Sequence, residues 1–162
     1  MESIGHEISP GKLIPYFSLE STDGKMISTW DFKEKMGLVI VFFNPRSSAD
    51  LEAIAQINSR YQEITDENAE VLAVGSGAVE EMTGCVAGMN FRFPLLMDSN
   101  GEAARSFNVE QGAIFAADRY GELRMKAALA DDLDSTLDNA INAISLSELE
   151  CPECGVSSWP AE

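Results

Sequence analysis

The chain has 162 residues, of which 45% are apolar and 23% charged, a mixture that can bury one substantial core without disulfides and that excludes a largely disordered protein. Its 11 basic and 27 acidic residues leave a formal charge of −16, which repels phosphate backbones and anionic headgroups, so neither nucleic acid nor a membrane is expected as a partner. The longest apolar run, Leu38 to Phe43, is the length of a strand and far short of a bilayer span.

The first residues, Met1 to His6, show no basic region followed by an apolar stretch, so they do not read as a secretory signal. Together with the sparse cysteines, this leads to the expectation of a cytoplasmic protein. His6 reads as a solvated residue. Tyr16 to Thr22 alternates like a strand, and Asp23-Gly24 turns it into Met26-Ile27-Ser28, predicting an N-terminal β-hairpin. Gly37 to Phe43 is β-branched and aromatic on both faces, as a central strand must be.

Asn44 to Ser48 breaks that strand, and its serines can cap a helix carrying Leu51, Ile54, Ile57, Tyr61 and Ile64 on one face; one long amphipathic helix is predicted. A second buried strand follows at Val71 to Gly75, then a helix from Val79 to Met89, a short apolar stretch at Phe93 to Met97, and a small helix from Gly101 to Phe107. Ala113 to Ala117 and Leu123 to Ala127 flank the polar turn Asp118-Arg119-Tyr120-Gly121 as a second hairpin. Leu133, Leu137, Ile141, Ile144 and Leu146 mark a last helix before the tail. No linker divides the chain, so residues 1–146 read as one domain and 147–162 as a tail. The expected architecture is α/β, a central mixed sheet with helices on both faces.

Several segments, in order and at similar spacing, resemble landmarks of the peroxiredoxin family (alkyl hydroperoxide reductase and thiol-specific antioxidant), which has a thioredoxin-like fold. They are Ile14-Pro15-Tyr16-Phe17, Val39 to Pro45, Phe93 to Asp98, Phe107-Asn108-Val109 and Phe115 to Gly121. The resemblance implies a peroxidatic cysteine just after the central strand, with a helix N-terminus and a cationic neighbour holding it as a thiolate. Matching Pro45 places that cysteine at Glu52, whereas matching Tyr61 places it near Ser47 or Asp50. Arg46, Ser47, Ser48, Asp50, Leu51 and Glu52 include no cysteine. A serine hydroxyl at Ser47 or Ser48 cannot pass through a sulfenic acid, and Asp50 and Glu52 oppose any anion beside them. Arg46 is a candidate anion contact at the helix start or a solvated loop residue. Before Ala113, where relatives carry a cis-proline or an arginine, this chain has Gln111-Gly112.

The cysteines present are Cys85, Cys151 and Cys154. Cys85, mid-helix on an apolar stretch, reads as a small buried hydrophobe. Cys151-Pro152-Glu153-Cys154 has the spacing of a zinc or iron knuckle or of a redox pair, and it supplies two of the four ligands a closed site needs, which Cys85 and His6 or, more simply, the second tail of a symmetric dimer would complete. Glu148, Glu150 and Glu153 disfavour thiolates there and favour a cation. An ordinary tail is a further reading, and Trp159 is a candidate anchor for it. No cofactor is required by these readings beyond that zinc or iron. Two functions follow. One is a non-catalytic binding or assembly module, with a protein partner or homodimer; the other is a thiol-dependent antioxidant oxidoreductase working through Cys151 and Cys154.

Overall fold

The computed structural model describes residues 9–77, 79–86, 90–130 and 132–147. The N-terminal hairpin forms from β1 (Ser18–Ser21) and β2 (Met26–Ser28), paired antiparallel with Leu19 opposite Ile27. Ser28 then caps a short 3-10 turn, Thr29–Phe32, through a reciprocal capping box with Asp31. Strand β3 (Gly37–Phe43) is buried along all seven residues, as its two-sided apolar sequence requires.

The predicted single long helix is instead two: α1 (Ser48–Ser59) and α2 (Tyr61–Asp66). The break has a local cause. Asn58 and Ser59 are weak helix formers, and the Ser59 hydroxyl donates back to the Gln56 carbonyl at 2.6 Å. At Arg60 (φ −107°) the amide bonds the Ile57 carbonyl, closing the turn. The Arg60 guanidinium meanwhile bonds Glu63 at 2.7 Å and Asp138 at 2.6 Å, linking the break to the last helix.

Strand β4 (Ala69–Gly75), helix α3 (Val79–Val86), strand β5 (Leu95–Met97) and helix α4 (Glu102–Ser106) follow. A second hairpin, β6 (Ala113–Ala117) with β7 (Leu123–Ala128), leads to helix α5 (Leu133–Ser147). Its turn is held by the buried Asp118 carboxylate, which accepts from the Tyr120 and Glu122 amides and from Arg124 Nε at 2.8 Å, while Gly121 takes the positive φ (84°) that the turn needs.

The seven strands form one mixed sheet in the order β2-β1-β5-β4-β3-β6-β7. β3, β4 and β5 run parallel, and the pairings outside them are antiparallel. Alternation along β3 creates two cores. Val39, Val41 and Phe43 meet Ile54, Ile57 and Ile64 of α1 and α2, Met82 of α3, and Leu137 and Ile144 of α5. Leu38, Ile40 and Phe42 meet Ile14, Phe17, Ala103 and Phe107, where the Phe42 and Phe107 rings lie 5.1 Å apart. Helices therefore cover both faces, and no helix among the described residues is long and apolar enough to cross a membrane.

Candidate functional site

Where β3 runs out, the chain closes on itself. The Ser47 hydroxyl caps α1 by accepting from the Asp50 amide at 3.1 Å, and the Leu51 amide bonds the Ser47 carbonyl at 3.0 Å. The Asp50 carboxylate accepts from the Asn44 amide at 2.9 Å, the Asn44 side chain accepts from the Arg46 amide at 2.9 Å, and the Ser47 amide bonds the Asn44 carbonyl at 3.0 Å. Five backbone donors around this helix start thus have acceptors inside the protein. Asp50 also places a carboxylate in the first turn of α1, where the helix end carries partial positive charge.

Beside this loop lies a cavity of about 370 Å3 at the C-terminal ends of the parallel strands β3 and β4, the position where α/β sheets offer a crevice. Its walls include Phe42, Phe43, Val74, Ala104, Val109 and Leu129, and its polar groups include Asn44, Ser47, Asp50, Ser76, Asp98, Glu110 and Gln111. Among the described residues, no lysine, arginine or histidine lines it. Asp98 is buried, and its two oxygens accept from the Ala103 and Ala104 amides at 3.0 and 2.9 Å, fixing α4. Glu110 is exposed and has no hydrogen-bond or ion-pair partner among the described residues. The cavity is apolar at its base and carboxylate-bearing around it.

Of the residues singled out at the helix start, Ser47 and Asp50 enter the cavity and Arg46, Ser48 and Glu52 do not. The last three are exposed. Arg46 is exposed, and its guanidinium pairs with Glu81 of α3 at the surface. Gln111 and Gly112 form one wall. A Cβ on Gly112 would lie 3.0 Å from Leu129 and 3.3 Å from Asp50 Oδ2, so the absence of a side chain lets this segment approach the helix start. The peptide bonds described are all trans.

Sequence reasoning did not single out Asp98, Val109, Glu110 or Leu129, which only the convergence of separate loops brings together. An aspartate directly after a short apolar strand and before a helix was the available signal for Asp98 as a cap. Cys85 lies in α3. Cys151, Cys154 and Trp159, and with them the zinc or iron knuckle and the redox pair, lie outside the described residues, as does His6. Among the described residues, no group of three or more His, Cys, Asp or Glu side chains is arranged to hold a metal ion.

Comparison with known proteins places this geometry. No curated protein matches the sequence. Among solved structures, the peroxidoxin BcpB from Mycobacterium tuberculosis superposes with a TM-score of 0.78 at 15% identity, over 90% of this chain and 100% of that one. A reduced 2-Cys peroxiredoxin from Plasmodium vivax gives a TM-score of 0.74 at 17% identity, over 87% and 99%. The thioredoxin domain of a thiol-disulfide oxidoreductase from Bacteroides vulgatus gives 0.71 at 18%, over 84% and 100%. These likenesses establish a thioredoxin-like fold. Residues 10–129, which include every strand and the whole cavity except its last wall residue, Ala130, match the AhpC/TSA family, and the chain belongs to that family.

Proposed function

We propose that this chain is a binding module of the AhpC/TSA family that takes up a ligand in the cavity beside Asp50 and does not reduce peroxides there. The observation that carries the reading is the Asp50 carboxylate, hydrogen bonded at 2.9 Å to the Asn44 amide at the start of α1. A peroxidase cycle at this position needs a thiolate, and a thiolate needs a site that favours negative charge. Here a carboxylate, Asp50, stands in the first turn and holds the Asn44 amide, the adjacent Arg46 is paired with Glu81, and the residues at the helix start are Ser47, Ser48 and Asp50.

The structural neighbours include peroxiredoxins and thiol-disulfide oxidoreductases, so thiol chemistry elsewhere in the chain is the reading to test against. The purified, reduced protein should consume hydrogen peroxide no faster than a Cys85→Ser, Cys151→Ser, Cys154→Ser triple variant supplied with the same dithiol. A wild-type rate clearly above that of the folded triple variant overturns the proposal. It would then support an antioxidant oxidoreductase using the cysteines that remain.

A further inference from the structure

We infer that the cavity beside Asp50 selects small organic cations, an ammonium or guanidinium carried on an apolar body; this rests on the reading of the cavity as a binding site and names its ligand class. Three independent features of the cavity agree. Its volume of about 370 Å3 suits a small molecule, not a bare ion. Its base is hydrocarbon and aromatic, from Phe42, Phe43, Val74 and Leu129, so it accepts an apolar body.

Charge decides the sign of the head group. Asp50, Asp98 and Glu110 line the cavity, with no basic residue among the described residues that line it. The Glu110 carboxylate and the second oxygen of Asp50 make no hydrogen bond or ion pair among the described residues, so both can receive donors from a ligand. Arg46, the cation nearest in sequence, is paired with Glu81 and does not line the cavity. An anionic ligand would face these carboxylates at close range, where like charges repel. The formal charge of −16 adds a long-range field of the same sign, drawing cations toward the protein.

The test uses three probes of one shape: benzylammonium, benzyl alcohol and benzoate. Each is titrated into the isotope-labelled full chain while the backbone amides of Asn44, Ser76, Gln111 and Gly112 are followed by NMR. Benzylammonium should move these resonances with an affinity at least about tenfold above that of benzoate, the factor expected from a few carboxylates at contact range. The preference should shrink with added salt. Glu110→Lys, an exposed substitution outside the core, should abolish or reverse the preference while leaving the rest of the spectrum in place.

If benzyl alcohol or benzoate binds as well as benzylammonium, or if Glu110→Lys keeps the full preference, the cation inference is overturned while the binding reading stands. If no probe moves the cavity amides, the binding reading falls as well.

Discussion

Ser47 holds Asp50 at the start of α1: the Ser47 hydroxyl accepts from the Asp50 amide at 3.1 Å, and the Asp50 carboxylate accepts in turn from the Asn44 amide at 2.9 Å. One aspartate therefore links the helix cap to the end of β3. The loop after the central strand is a closed hydrogen-bonded unit that supports the cavity wall.

Replacing either residue should loosen this unit. Ser47→Ala should destabilise the protein by about 1 kcal/mol through loss of the cap, and Asp50→Ala by about 1–2 kcal/mol through loss of a charge-assisted bond. The double variant should lose less than the sum, because both act on one loop. Denaturant midpoints of the three variants measure this; strict additivity would mean that the two bonds act independently.

Two glycine-to-alanine changes should have opposite signs. A Cβ on Gly75 would collide with the thioether end of the fully buried Met82 side chain and lie 3.0 Å from the Phe43 ring. Gly75→Ala should cost about 1–3 kcal/mol by overpacking. Gly84 lies on α3 with open space around the position of an added Cβ, so Gly84→Ala should stabilise by up to about 1 kcal/mol through helix propensity. Thermal unfolding of both variants beside wild type distinguishes them.

Arg60 holds the helix break against α5, with Glu63, Asp138 and, at 3.6 Å, Asp134 around its guanidinium. Arg60→Met keeps the apolar stem and removes the charge, and should cost about 1 kcal/mol at low salt. Because the three carboxylates are well exposed, the difference from wild type should narrow at high salt. A difference independent of salt would assign the effect to packing.

Tyr61 gives the protein a pH dependence in the alkaline range. Burial, then the hydrogen bond its hydroxyl donates to Glu70 at 2.7 Å, pushes its phenol from 10.0 up to about 12. The raised value means that the fold favours the neutral phenol. The stabilisation is thus complete below about pH 10, the unfolded value, and is lost as pH rises toward about 12. Denaturant unfolding of wild type should weaken across that window, and Tyr61→Phe should flatten this part of the profile. The tyrosinate absorbance missing from the variant should be the portion that develops near pH 12 in wild type.

Most of the fold was legible because the relevant forces are local or periodic. The seven buried residues of β3, both hairpins and α5 follow from alternation, turn residues and helical spacing. The continuity of the first helix was not legible. The apolar face from Leu51 to Ile64 persists across Arg60, and the interruption depends on a hydroxyl back-bond and on carboxylates in α5, more than seventy residues away in the chain.

At the site, the sequence by itself determined that no cysteine lies from Arg46 to Glu52, since no arrangement of neighbours changes a side chain's elements. It also marked Ser47 as a cap, since capping depends on residues only a few positions apart. Only the tertiary structure decided that Arg46 pairs with Glu81 and that Asp98 and Glu110 join Asp50 around one cavity. Those relationships cross from one strand-end loop to another. Electrostatics and cavity shape are properties of distance in space, and the seven-stranded sheet, not the order of residues, sets those distances.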